Sequence, residues 1–345
     1  MRVVGAEVIP YSLPFREPYI SARGTLESRE MILLRLRSAE GAEGLGEAVP
    51  LSLRGGAVLE AVAAELRRWA EDPNSPSGGM SAPARCAVST ALLDLEATEA
   101  GVPLWAQRGA AAAEPVLCNA TLAAGEPPRV AASAESWAAD GFRSFKLKVG
   151  VPKDDDQLAA LRQALGPGAK LRVDANGAWG PAQAVAKLAR MAGEGLELAE
   201  QPCETLEEMA QLRRRCEVPL AADESVDSPA TAAEAVAAEA CELATAKLSK
   251  VGGIDAVGEI AAKLPVYLSS ALDGPVGIAA AAHAAQILRE GGGDAGVAHG
   301  LATQRLFADT VASRQCELRE GLLHLPGGPG LGVEIDDAAI ERHRL

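Results

Sequence analysis

The chain has 345 residues, 48% apolar and only 3% aromatic, so it is long enough for a barrel plus a smaller domain with a core of Ala, Val, Leu and Ile. Its 33 basic and 47 acidic residues give a formal charge of −14, which argues against nucleic acid or an anionic membrane as partner, because both need a basic surface. The longest strongly apolar uncharged run, Gly274 to Leu288, has 15 residues, fewer than the roughly 18–20 of a bilayer span, and is expected to be a buried helix.

From the start of the chain, Met1 to Glu7 meets a charge and then Pro10 too early for a secretory apolar stretch, so a cytoplasmic protein is expected. Strands are predicted at Ala6 to Leu13, Glu30 to Arg37 and Gly44 to Val49, followed by two helices. The first, Leu59 to Ala70, carries apolar residues at Leu59, Val62, Ala63, Leu66 and Trp69. The second, Ala82 to Ala100, starts behind Ser81 with Pro83 just inside. Between them, Asp72 to Gly79 reads as an exposed loop. The six cysteines form no CxxC pair and are expected as reduced core thiols.

From about Glu114 the rhythm changes. Short apolar runs recur at Val116 to Leu122, Ser144 to Val149, Leu171 to Asn176, Leu196 to Pro202, Leu220 to Ser225, Leu243 to Ser249, Val266 to Leu272 and Val297 to Ala302, with Ala-rich helical stretches between them. Continuous apolar runs suit parallel strands buried on both faces, and eight such units predict a β/α barrel. An open doubly wound sheet would need a Gly-rich phosphate turn after an early strand. The late run Gly327 to Gly332 lacks those flanks and reads as a turn.

Polar groups stand at the C-terminal ends of consecutive predicted strands: Lys146 and Lys148, Asp174, Glu200, Asp223, then Lys247 and Lys250. One strand–helix unit separates each from the next, which puts them on the rim where barrels keep their active sites. Any one of them alone would pass for a solvated loop residue or a helix cap; the shared register makes a site. Three converging carboxylates repel one another unless a cation joins them, and an all-oxygen set suits Mg²⁺ or Mn²⁺. Lys148 and Lys247 are expected to face each other across it, with a pKa pulled down by the cation and the neighbouring ammonium, and so able to move an α-proton. Lys250, three positions beyond Lys247, is expected to face away, at the surface or an interface. His299 is expected to be a satisfied loop histidine.

These motifs, Lys-x-Lys, Asp-x-Asn, Glu-Gln-Pro, Asp-Glu-Ser and Lys-x-x-Lys-x-Gly-Gly, resemble the enolase superfamily, muconate-lactonizing subgroup. The resemblance extends to Gly44-Leu-Gly-Glu-Ala-Val-Pro50 and Gly328-Pro-Gly-Leu-Gly332 and so covers nearly the whole chain. It implies an α/β fold: a modified (β/α)7β TIM-type barrel (residues 114–303), an N-terminal α+β capping domain (1–113) and a C-terminal segment returning to it (304–345). It also implies Mg²⁺ on Asp174, Glu200 and Asp223, acid/base roles for Lys148 and Lys247, and substrate contacts for Lys146 and Asn176. A lysine base working beside Mg²⁺ is established chemistry of that superfamily.

Within the subgroup, Ser269-Ser-Ala-Leu-Asp-Gly-Pro-Val-Gly277 with Ile278, Asn119-Ala-Thr121 and His299-Gly-Leu-Ala-Thr303 resemble o-succinylbenzoate synthases, although Pro275 stands where those more often carry a small hydroxyl residue. This likeness implies a lyase of menaquinone biosynthesis acting on a small carboxylate, with Ser269 and Ser270 as donors to it. Arg23, in a loop around Ser21 to Glu27, is a candidate carboxylate contact. N-acylamino acid racemase, dipeptide epimerase and muconate cycloisomerase use the same site and stay open; 299–303 holds no Asp, which counts against the epimerases. A Schiff-base aldolase on Lys247 and a non-catalytic barrel are the rivals from other classes. A homo-oligomer is left open.

Overall fold

The computed structural model describes residues 2–21, 24–51 and 56–345. Strands β1 (Val3–Ser21), β2 (Gly24–Ser38) and β3 (Glu43–Ala48) form an antiparallel sheet in the order β1-β2-β3. Helices α1 (Leu59–Ala70) and α2 (Ala82–Ala100) begin and end where the sequence predicts, and α3 (Leu104–Gln107) follows. Ser81 does not cap α2 with its side chain; its hydroxyl donates to Glu65 Oε2 at 2.7 Å instead.

The sheet is buried on both faces, which explains the unbroken run Met31 to Leu34. Ile32, Leu34 and Leu36 pack with Val62, Leu66 and Trp69 of α1 and Val88, Ala91 and Leu95 of α2. Met31 and Leu33, with Ile9, Tyr11 and Leu13, join the barrel core. Each fully buried aliphatic side chain contributes about 1.5–3 kcal/mol to holding these layers together. Gly44 and Gly46 let α2 approach: a Cβ there would overlap the Ala91 and Ala87 carbonyl oxygens.

The barrel alternates strands and helices: β4 (Val116–Leu117), β5 (Ala120–Leu122), α4 (Pro127–Ala139), β6 (Ser144–Lys148), α5 (Asp154–Leu165), β7 (Lys170–Asp174), α6 (Pro181–Met191), β8 (Leu196–Glu200), α7 (Leu206–Arg213), β9 (Leu220–Ala222), α8 (Pro229–Ala237), β10 (Leu243–Ala246), α9 (Leu248–Val251), α10 (Ile254–Ala261), β11 (Val266–Leu268) and α11 (Pro275–Glu290). Seven strands pair in parallel, in the order β11-β10-β9-β8-β7-β6-β5. The predicted eighth strand is reduced to single bridges, Cys118 with His299 and Ser269 with Gly300. These still close the barrel, because Asn119 N–H donates to His299 O at 2.8 Å and Gly300 N–H to Leu268 O at 2.8 Å. The predicted strand 116–122 is split. Its first half leaves the barrel to pair antiparallel with a C-terminal strand.

Beyond residue 303 come β12 (Ala312–Arg314), β13 (Glu317–Arg319), β14 (Leu322–His324), β15 (Glu334–Ile335) and α12 (Asp337–His343). β14 pairs with β4, and the last residue returns to the N-terminal sheet, Leu345 N–H donating to Pro10 O at 3.0 Å. The apolar run 274–288 is helix α11, buried along nearly its whole length. Among the described residues no helix is long and apolar enough to cross a membrane. All six cysteines are free, and all but Cys216 are buried.

Candidate active site

Backbone register builds the site. In β6, β7 and β8, Lys148 pairs with Asp174 and Asp174 with Glu200, so these side chains share one layer at the strand ends. Lys146 lies two residues before Lys148 and points into the same interior. Asp223 follows β9, and Lys247 follows β10. One carboxylate oxygen from each of Asp174, Glu200 and Asp223 lies within 4.8 Å of the others, and all three residues are fully buried.

The lysines close on this triad. Lys146 Nζ donates to Glu200 Oε2 at 3.0 Å and Oε1 at 3.2 Å and lies 3.4 Å from Asp174 Oδ2. Lys148 Nζ donates to Asp174 Oδ2 at 2.6 Å and Asn176 Oδ1 at 3.0 Å. Lys247 Nζ donates to Asp223 Oδ2. Burial, the largest single cause, would lower the Lys146 and Lys148 pKa values, but the neighbouring negative charges together, led by Glu200 and Asp174 respectively, outweigh it and both are raised. Carboxylates are the nearest charged neighbours of Lys148 in this structure. Burial would also raise Asp174, yet Lys148 and Lys146 hold it well below the usual carboxylate range. Glu200 is raised by burial and by the charge of Asp174.

Lys250 corrects the sequence reading. It is buried, and its Nζ donates to Asp223 Oδ1 at 2.9 Å and Thr245 O at 3.0 Å. The expectation assumed strand alternation, but the chain turns helical at Leu248, and residues three apart then share a face. Lys250 therefore joins Lys247 on the triad.

Ser269, Ser270 and Asn176 border the same cavity of about 90 Å³ as Lys146, Lys148 and Lys247. Ser270 Oγ is engaged by Asp273 Oδ2 at 2.7 Å. Arg23 lies outside the described residues. His299 is buried and satisfied, its Nδ1 accepting from Leu268 N–H at 2.9 Å.

Sequence reasoning missed several neighbours. Tyr267 donates its hydroxyl to Glu200 Oε2, and Asn176 Nδ2 donates to Glu224 Oε1 at 2.9 Å. Gln201 ties two strand ends together: its Oε1 accepts from Asp223 N–H at 2.8 Å and its Nε2 donates to Cys203 O at 2.8 Å. The Glu-Gln-Pro motif carried that signal. Gln201 and Asn176 hold left-handed backbone, with φ of 39° and 48°, a strain often kept at functional sites.

Buried carboxylates beside paired lysines on a barrel rim suit proton transfer next to a carboxylate, and similarity to known proteins runs the same way. Residues 129–339 match the family model described as enolase C-terminal domain-like. The o-succinylbenzoate synthase of Mycobacterium tuberculosis is 44% identical over 180 residues, 50% of this chain and 53% of that protein, so the match spans about half the length of these curated relatives. The L-Ala-D/L-Glu epimerase of Bacillus subtilis is 28% identical over 96% of this chain and 97% of its own. Muconate cycloisomerase 1 of Pseudomonas putida is 28% identical over 97% and 96%. Among solved structures, a substrate-liganded complex of that B. subtilis epimerase superposes with a TM-score of 0.89 at 27% identity, covering 97% of this chain and 100% of the other. A dipeptide epimerase from Enterococcus faecalis, complexed with Mg and L-Leu-L-Tyr, gives 0.90 at 26% identity over 97% and 100%. With the barrel, the triad and the family match in agreement, the chain belongs to the enolase superfamily, in the enolase C-terminal domain-like family.

Proposed function

We propose that the protein is an o-succinylbenzoate synthase: a Mg²⁺-dependent carbon–oxygen lyase that dehydrates a cyclohexadiene carboxylate bearing a hydroxyl and a succinyl chain, in menaquinone biosynthesis in the cytoplasm. The observation that carries it is the buried Asp174/Glu200/Asp223 triad with lysines on both flanks. Those residues fit Mg²⁺, with Mn²⁺ as a substitute, because the donors are hard oxygens within 4.8 Å and neither His nor Cys is among them. When bound there, the ion supplies charge neutralisation and Lewis-acid polarisation of the substrate carboxylate.

The chain's own groups do the rest. With the three carboxylates ionised, the ammonium groups of Lys146, Lys247 and Lys250 balance them, so Lys148 is the lysine free to work as a neutral amine, and a cation bound there would supply the positive charge that draws in an anionic substrate. Lys146 lies beside that carboxylate. Lys148 takes the α-proton, Lys247 as ammonium stands against the enediolate from the other side, and proton and hydroxyl depart as one water to leave an aromatic ring. Asn176, Ser269 and Ser270 orient the substrate. We further propose that residues 1–113 and 304–345 cap the barrel of residues 114–303.

The synthase reading is favoured over its relatives by the 44% identity to the M. tuberculosis enzyme and by the absence of Asp from 299–303. A second reading, racemisation or epimerisation of an N-acylated amino acid, draws on the full-length likeness to the B. subtilis epimerase. A product assay separates them: aromatic product supports the lyase, whereas deuterium exchange at an intact α-carbon supports the racemase. Chelation should abolish turnover and Mg²⁺ restore it; full activity in EDTA would refute both and favour a Schiff-base lysine.

A further inference from the structure

One hydroxyl in this cavity has no use in the fold. Thr303 lies in a short 3-10 turn, Ala302–Leu306, just past the segment that closes the barrel, and this turn packs against β5. The residue is 4% exposed, and its Oγ1 has no hydrogen-bond partner among the described residues. It nevertheless borders the cavity that holds Lys148, Asn176 and Lys247. Leaving a buried hydroxyl unpaired is destabilising, and Val would fill the same volume without that cost. Thr90 and Thr245 also keep unpaired buried hydroxyls, but neither borders this cavity. Thr303 thus brings an unpartnered hydroxyl to the wall of the cavity that holds the lysines.

Its chemistry narrows the ligand. A threonine is neutral and donates one hydrogen, so it matches a carbonyl or carboxylate oxygen. An ammonium group at the same place would meet no carboxylate from Thr303 and would be repelled by the lysines already in the cavity.

We propose that Thr303 is a specificity-determining residue that donates its hydroxyl hydrogen to an acyl or carboxylate oxygen on the substrate's side chain, away from the reacting carbon. The assignment rests on the proposed function for the choice of substrate, an acid with a succinyl chain. It selects acyl-chain acids over substrates that present an ammonium at that position. Because the contact is the same in ground and transition states, it acts on KM and leaves kcat nearly alone.

The experiment compares Thr303→Val and Thr303→Ser with the wild type, in steady-state kinetics and in thermal unfolding of the Mg²⁺-loaded protein. Thr303→Val should raise KM about five- to tenfold with kcat within about twofold. Thr303→Ser, which keeps the hydroxyl, should recover most of the loss. The melting temperature of Thr303→Val should equal or exceed that of the wild type, because no protein partner is lost. A lower melting temperature with unchanged kinetics would make Thr303 structural and overturn the proposal, as would an unchanged KM in Thr303→Val. A wild type that forms no aromatic product but exchanges the α-deuterium of an N-succinyl amino acid would refute the synthase reading alone. The same variants then read Thr303 on that acid, whose succinyl chain presents the same acceptor oxygens.

Discussion

Glu47 of β3 is buried at the junction between the N-terminal sheet and the loop after β11, and its replacement by Gln should change how stability depends on pH. Its Oε2 accepts from the Tyr11 hydroxyl at 2.8 Å and its Oε1 from Gly274 N–H at 2.7 Å, at the start of α11. Burial, followed by the charge of Asp273, pushes its pKa from 4.5 up to about 7, against the lowering effect of those hydrogen bonds. The folded protein therefore holds this proton more tightly than the unfolded chain does. The stability that comes from a neutral Glu47 is fully present below pH 4.5 and is lost as pH rises through 7. At 1.36 kcal/mol per unit the loss amounts to about 3 kcal/mol between pH 4 and pH 8. Glu47→Gln stays neutral throughout. It weakens one hydrogen bond, since an amide nitrogen must face either Tyr11 or Gly274, but that cost of about 1 kcal/mol does not change with pH. Urea unfolding of both proteins at pH 4, 5, 6, 7 and 8, without metal, should show the stability difference moving in the variant's favour by about 3 kcal/mol across the range. Parallel pH profiles would refute the reasoning, because they would mean that Glu47 does not gain a proton on folding in this window.

Two further outcomes test the site itself. Lys148→Ala should lower kcat by about 10²–10⁴ while Mg²⁺ titration calorimetry still shows one bound ion; an active variant would remove Lys148 from the mechanism. Lys250→Met should lower kcat/KM more than tenfold, because Asp223 loses the donor at 2.9 Å that helps fix its carboxylate. An effect within about 0.5 kcal/mol, as for an ordinary surface lysine, would return Lys250 to the surface role that strand alternation predicts.

The strand-end groups were legible because barrel geometry is periodic. Parallel strands buried on both faces read as short apolar runs, and one strand–helix unit between successive polar groups is enough to bring Lys148, Asp174, Glu200, Asp223 and Lys247 to one rim. Helices α1 and α2 were legible to the residue, since their apolar spacing and the Pro and Gly at their borders are local signals. The same local logic failed at Lys250, where the backbone switches from strand to helix within two residues and changes which positions share a face. It failed again at 297–302. That run has the composition of a strand, but among the described residues it pairs only through single bridges at His299 and Gly300.

The sequence by itself thus determined the barrel, the triad and the lysines that flank it, because each follows from spacing along one chain. Only the tertiary structure decided the rest. Glu47 meets Gly274 across 227 residues, Arg172 reaches the Ala298 carbonyl across 126, and Thr303 is left without a partner among the described residues that line the cavity. Burial, lost hydrogen bonds and shifted pKa values all depend on what packs against a side chain from elsewhere in the chain, and no local pattern encodes that.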